Sequence, residues 1–303
     1  MPELPDVTIY VERIAERIVG HKLDRVRLKS PFVLRTAVPP ISDAEGCQVT
    51  SVHRLGKRIV MTLEGKRFLV VHLMIAGRFL WFAKAKPIPG RAGLAAFDFS
   101  SGTLLLTEAG TRKRASIHYV VGAENLTAFA RGGLEVFEVD QARFEQGMTR
   151  QRHTLKRALT DPTILSGVGN AYSDEILHRA RLSPLLMTDR LTPEQWIRLF
   201  QATRQVLDEW TTRLRAESAD GFPEHVTAFR PEMAVHGRFG KPCPTCQSPV
   251  QRIVYANNET NYCPVCQTDG KLLADRSLSR LLRSDWPRTL EELEERKSGA
   301  SSS

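Results

Sequence analysis

Apolar residues near the start of the chain recur at helical spacing. Val7, Tyr10, Val11, Ile14 and Ile18 share one face, which predicts a helix from Asp6, as its N-cap, to Gly20. From Leu23 to Leu106 the period shortens to β-rich runs such as Arg58 to Leu63 and Phe68 to Leu73, joined by a Glu64-Gly65-Lys66 turn. Ala85 to Gly93, with Pro87, Pro89, Gly90 and Gly93, reads as a loop. Strand signals fade after Val120, and helical patterns dominate from Gln141 to Ala216, with Pro162 and Pro184 as breakers. Gly221 to Gly240 is irregular. A cysteine-rich hairpin follows, then one or two helices over Asp275 to Lys297, in which the acidic Glu291 to Glu295 run reads as a solvated face. The end, Ser298 to Ser303, is expected to be disordered, and no internal repeat is present.

This order predicts a multidomain α+β chain. The expected divisions are a β domain with its N-terminal helix over 2–120, a linker over 121–149, a helical domain over 150–220, a cysteine module over 236–268 and a C-terminal extension over 269–303. A length of 303 residues favours two domains over one. The 42% apolar and 25% charged content is ordinary for a globular protein, so composition leaves the fold class open.

Charge narrows the partner. A net charge of +9 and a pI near 9.5 favour an anionic one, either nucleic acid or an anionic membrane surface. No apolar stretch reaches the roughly 18 to 20 residues of a membrane span. Glu3, Asp6, Glu12 and Arg13 interrupt any signal-peptide core, so a soluble cytoplasmic protein is expected.

Cysteine spacing is the sharpest local signal. Cys243, Cys246, Cys263 and Cys266 form two Cys-x-x-Cys pairs with sixteen residues between them, the spacing of a zinc ribbon. A reducing compartment argues against disulfides. Four cysteine ligands leave no open position for water, so the zinc is expected to be structural. Cys47 stands apart and reads as a small buried hydrophobe.

Two further features are ambiguous alone. Removal of Met1 would leave Pro2 as a terminal secondary amine, with a pKa of about 7.7 to 8.0 for an ordinary terminus. Such an amine condenses with an aldehyde to an iminium, an electron sink, and Glu3 beside it can move protons. The same dipeptide can equally be a terminus without a role. The second feature is Asp161 to Leu177, where Gly167 and Gly169 precede Asn170 at the start of a predicted helix. This is either a plain helix hairpin or a backbone phosphate site. Arg150, Arg152, His153, Lys156 and Arg157 are expected on the preceding helix, tracking phosphates.

Pro2-Glu3-Leu4-Pro5, the Gly167 to Tyr172 turn and the terminal cysteine pairs occur together in the order of the formamidopyrimidine-DNA glycosylase and endonuclease VIII family, which the chain resembles over roughly residues 2 to 268. The resemblance implies a β-sandwich domain, a helix-two-turn-helix domain and a zinc finger gripping damaged DNA, in a monomeric base-excision repair enzyme associated with the nucleoid. It implies a DNA glycosylase with abasic-site lyase activity by β,δ-elimination. Pro2 would attack the anomeric carbon, Glu3 would protonate the sugar ring oxygen, and Lys57 would hold phosphate and assist. Lys156 and Asn170 would contact the backbone near the lesion, where Arg152 of the basic run is a further candidate DNA contact.

The chain departs from that pattern at several points. Ile75 takes the wedge position that fills the gap left by the flipped base, and Arg114 supplies the arginine of a second loop where Ala115 replaces a phenylalanine. A histidine expected within Gly93-Leu94-Ala95 is missing. Asn258 stands in the finger hairpin, Ala256 to Tyr262, where an arginine is usual, with Arg252 as a possible substitute. Ala216 to Val235 is unlike the usual lesion-covering loop, and 37 residues follow the last cysteine. These departures leave open which oxidised base is removed, and they define an alternative: a DNA-binding protein of the same fold that recognises lesions without excising them.

Overall fold

The computed structural model describes residues 1–219, 221–223, 226, 230–255, 258–274 and 287–300. Its helices are α1 (Leu4–Ile18), α2 (Ala123–Thr127), α3 (Gln141–Thr149), α4 (Leu155–Thr160), α5 (Asn170–Ala180), α6 (Pro193–Ser218), α7 (Pro264–Thr268) and α8 (Leu290–Ala300). Its strands are β1 (Leu23–Leu28), β2 (Val49–Leu55), β3 (Arg58–Leu63), β4 (Arg67–His72), β5 (Gly77–Phe82), β6 (Gly93–Phe99), β7 (Gly102–Glu108), β8 (Ser116–Val121), β9 (Gln251–Tyr255) and β10 (Asn258–Tyr262). The chain divides into two compact units, Met1–Gly133 with Leu207–Ala228 and Leu134–Val206 with Phe229–Ser303.

The first unit is a β-sandwich. One antiparallel sheet has the order β1-β6-β7-β5 and the other β2-β3-β4-β8. Alternation along a strand decides which residues meet. Ile59, Met61, Leu69, Val71, Ile117 and Tyr119 face the shared core with Phe97, Leu104 and Leu106 of the other sheet. Helix α1 adds Val7, Tyr10, Ile14 and Ile18 to that core, which is why its apolar residues keep helical spacing. The intervening residues Val60, Phe68, Val70 and Val120 point the other way, under Leu126 and Phe129. Strands β3 and β4 are therefore buried on both faces, so their sequence reads as continuous apolar runs.

The second unit holds α3, α4, α5 and the β9–β10 hairpin. Phe144 of α3 packs edge-on against Trp196 at 6.4 Å and tilted against Phe200 at 5.4 Å, both on α6. Helix α5 is buried at almost every position from Ala171 to Ala180, as a helix surrounded by protein must be. The helices expected over Asp275 to Lys297 are represented by α8; residues 275–286 and 301–303 lie outside the described residues. Among the described residues no helix is long and apolar enough to cross a membrane.

Strand register places Lys57 at a tight reversal. Leu55 pairs with Arg58, leaving Gly56 and Lys57 as a two-residue turn. Gly56 has φ +62°, and Arg54 Nη1 donates to its carbonyl at 2.9 Å. This is the hairpin turn that takes glycine first. Nothing lies within 4 Å of a Cβ built at Gly56, so a substitution there meets strain in the backbone alone. Gly56→Ala is expected to destabilise the protein by about 1–2 kcal/mol, read as a lower urea midpoint with an unchanged slope.

Candidate active site and metal centre

The N-terminus is built by a reciprocal cap. Helix α1 starts at Leu4 with Glu3 as N-cap, one turn earlier than its apolar spacing indicates, and Asp6 occupies the third helical position instead of capping. The Asp6 carboxylate accepts the Glu3 N–H at 3.0 Å while the Glu3 side chain accepts from the Asp6 backbone. Each acid thereby satisfies a backbone donor that an α-helix leaves unpaired. Pro2 is buried, and Glu3 and Asp6 are each only 2% exposed. Burial holds the Met1 amine below its ordinary value of 8.0; Arg78 and Lys57 push it the same way, while Glu3 and Asp6 oppose them. An amine at this end of α1 is thus biased toward its neutral, nucleophilic form.

Arg78 carries no sequence signal of its own. It belongs to the ordinary alternation of β5, pairs with Thr107 in register, and donates from Nη1 to the Gly77 carbonyl at 2.6 Å. His72 and His118 were equally hidden, because only strand pairing brings them to Lys57 and its neighbour Arg58. Arg58 lies directly opposite His72. Its guanidinium donates to the Phe129 carbonyl at 3.1 Å and sits 5.8 Å from that ring, while His118 packs edge-on against the same ring at 4.8 Å. Burial pushes the His72 ring down to about 4, helped by Arg58, Lys57 and His118. Its Nδ1 accepts the Met74 N–H at 3.0 Å.

The two candidate wedge positions differ in kind. Ile75, between β4 and β5, is 55% exposed beside Met74 with its φ of +54°. Arg114 is exposed, but Ala115 is 2% exposed and belongs to the sandwich core. The buried Glu108 carboxylate fixes this loop by accepting the Arg114 and Ala115 N–H groups at 2.8 and 3.1 Å, and Lys113 donates to the Glu108 carbonyl. Position 115 thus fills the core instead of projecting. Leu94 and Ala95 are also core residues.

In the second unit Gly169 is the N-cap of α5, and Gly167 has φ +80°. Asn170 opens the helix, and its Nδ2 donates to the Glu259 carbonyl of the finger hairpin at 2.9 Å. Lys156, on α4, donates to the Asn170 carbonyl at 2.7 Å and to Asp174. Asp174 also accepts from His236 Nδ1 at 2.8 Å and from the Asn261 N–H at 3.2 Å. The expected basic helix is corrected: α3 ends at Thr149 and α4 starts at Leu155 behind its N-cap Thr154, so Arg150, Arg152 and His153 lie between helices. Arg152 pairs there with Asp189 at 2.9 Å, both exposed.

Asn258 is exposed at the first position of β10, opposite Tyr255; Ala256 and Asn257 of the expected hairpin lie outside the described residues. Arg252 pairs in register with Asn261, an odd number of residues along the strand from Tyr255, so its side chain leaves the opposite face from Asn258. It stacks 4.3 Å over Phe239 and meets Glu259 at 3.2 Å, and so does not take Asn258's place.

The four cysteine sulfurs lie within 4.8 Å of one another, with Cys243 and Cys266 at 3.9 Å and Cys246 and Cys263 at 3.4 Å. Zinc–thiolate bonds of about 2.3 Å in a tetrahedron put sulfurs about 3.8 Å apart, so the set fits one structural zinc ion. Backbone turns shape both knuckles, with Gln247 N–H donating to Cys243 O at 2.9 Å and Gln267 N–H to Cys263 O at 3.0 Å. Cys47 is half-buried against the sandwich core, with its thiol 3.6 Å from the Asp43 carbonyl.

Three family models match the chain in succession. The formamidopyrimidine-DNA glycosylase N-terminal domain covers residues 1–117, the H2TH domain of that enzyme 134–216, and the zinc finger found in FPG and IleRS 240–268. The formamidopyrimidine-DNA glycosylase of Thermus thermophilus is 33% identical over 287 residues, spanning 89% of this chain and 100% of the relative. That of Solibacter usitatus is 31% identical over 277 residues, 88% of this chain and 99% of the relative. Among solved structures, the Fpg protein of Thermus thermophilus superposes with a TM-score of 0.73 at 32% identity, over 88% of this chain and 98% of that one. The Lactococcus lactis Fpg in complex with abasic-site DNA, at 23% identity, shares the fold with a TM-score of 0.77 over 88% of this chain and 99% of its own.

The half-buried His72 resists protonation until about 4, whereas an unfolded chain takes up that proton near 6.5. The unfolded state therefore binds more protons in this window, and the contribution to stability is full above 6.5 and lost as pH falls toward 4. His72→Gln removes the titration. Its urea midpoint is expected to fall less than that of the parent protein between pH 7 and pH 5.

Proposed function

The chain belongs to the formamidopyrimidine-DNA glycosylase family, and from that premise we propose that it is a base-excision repair DNA glycosylase that also cleaves the resulting abasic site. The observation that carries this reading is the buried Pro2-Glu3 pair. Glu3 is locked into the start of α1 by the reciprocal cap with Asp6, where burial, aided by Arg78 and Lys57 and opposed by Glu3 and Asp6, holds the Met1 amine below its ordinary value.

With Met1 removed, the Pro2 nitrogen attacks the anomeric carbon of a nucleotide flipped out of the duplex. The carbon–base bond breaks and the base leaves with its electron pair. The departing base takes the N–H proton of Pro2, the Glu3 carboxyl delivers a proton to the sugar ring oxygen, the ring C–O bond breaks, and the nitrogen pair freed by that deprotonation completes an iminium. That cation acidifies the adjacent carbon. Loss of a proton there expels the 3′ phosphate, and a second elimination expels the 5′ phosphate. Lys57, at the rigid Gly56 turn, holds phosphate beside the reacting sugar.

Arg152, Lys156, Asn170 and Asn258 contact the DNA backbone, and Ile75 fills the vacated space as an apolar wedge. Arg114 alone reads the opposite base, since Ala115 is buried. A net charge of +9 suits this partner. A second reading, lesion binding without excision, draws on the uncharged Asn258 and the buried Ala115. It predicts salt-sensitive binding with intact strands.

Borohydride trapping on abasic-site duplex separates the two. The Met1-processed protein is expected to form a covalent complex in which peptide mapping finds the reduced sugar on the Pro2 nitrogen, and absence of an adduct would remove the lyase reading. Glu3→Gln should still bind damaged duplex while losing about 10²–10⁴-fold in base excision, the range for one general acid, measured by single-turnover release of base from oxidised-purine and oxidised-pyrimidine duplexes.

A further inference from the structure

Helix α5 meets the cysteine knuckle directly. Its His178 is 8% exposed, and ring Nε2 lies 3.2 Å from the sulfur of Cys243, which is fully buried. Among the described residues, other links between α5 and the finger include Asn170 to the Glu259 carbonyl and Asp174 to the Asn261 N–H. His178 alone among these touches a metal ligand. Cys243 bound to zinc is a thiolate without a proton, so it only accepts, and the ring nitrogen is the donor.

We propose that His178 is an outer-sphere partner of the zinc centre: its Nε2–H donates to the Cys243 thiolate, withdraws charge from that sulfur and slows loss of the metal. A hydrogen bond to an anion is about twice as strong as one between neutral groups. Here both partners are buried, so water does not compete for the sulfur. The bond also fixes the Cys243 rotamer from outside the knuckle. A ring present only to fill space would be replaced without loss by phenylalanine, and this distinguishes the two roles.

The test uses the full-length zinc-loaded protein with His178→Phe, which keeps a ring but no N–H, and His178→Gln, whose amide N–H reaches about as far as Nε2. With a chromogenic chelator in excess, His178→Phe is expected to release zinc about 10-fold faster, the low end for loss of an outer-sphere partner, and His178→Gln to stay near the parent rate. In cobalt-substituted protein the thiolate-to-metal charge-transfer band moves to longer wavelength in His178→Phe and returns in His178→Gln. Equal release rates and superimposable bands in all three proteins overturn the proposal. Cadmium-113 substitution of the parent protein decides the matter even where His178→Phe does not load metal. Coupling between cadmium and the His178 Nε2 proton is required, and its absence overturns the proposal. None of these readouts passes through catalysis.

Discussion

A carboxylate withdrawn from water has to be given donors, because leaving it unpaired in a low-dielectric interior costs several kcal/mol. Glu3, Glu108, Asp174 and Glu175 are all at least 90% buried, and each takes its donors from backbone or side-chain groups that it thereby fixes in place. Glu3 and Asp6 set the start of α1. Glu108 holds the Arg114–Ala115 loop through two N–H groups. Asp174 gathers Lys156, His236 and the Asn261 N–H. Glu175 accepts from the Ala234, Val235 and His236 N–H groups, which hold its pKa back against the upward push of burial. Loops that would otherwise be loosely specified are thus fixed from beneath by charge.

What could be seen in the sequence divides along the same physical line. The zinc ligands were legible because both knuckles are local and their spacing is dictated by the metal. Helix α1 was legible from its buried stripe, but its first turn was not: Glu3 and Asp6 act on each other's backbone, and no apolar residue marks that exchange. Sheet interiors were clear from β-rich runs. The residues around Lys57 were hidden because Arg58, His72 and His118 meet only through the register of β3, β4 and β8. Arg252 misled for the converse reason, since a basic residue near Asn258 in sequence lies on the other face of a strand pair.

The proposed chemistry and the identity of the damaged base rest on different parts of the first unit. Attack at the sugar needs Pro2, Glu3 and a held phosphate, all tied to α1 and the β2–β3 turn. In the proposed function base choice falls to the loops that carry Ile75 and Arg114, one with an exposed apolar side chain and the other with a small residue drawn into the core. Changes in those loops can alter selectivity without disturbing the cap on α1.

The Leu55–Arg58 pairing closes its hairpin with two residues and no slack. In such a turn the number of residues is constrained as tightly as their identity. One extra residue between β2 and β3 would change the class of reversal or slip the strands by one position, and a one-position slip sends every side chain to the other face. Ile59 and Met61 would then exchange places with Val60 and Thr62, across two packed interfaces at once. Lys57 is therefore held by chain length: its position is counted out from the core and tolerates substitution better than insertion.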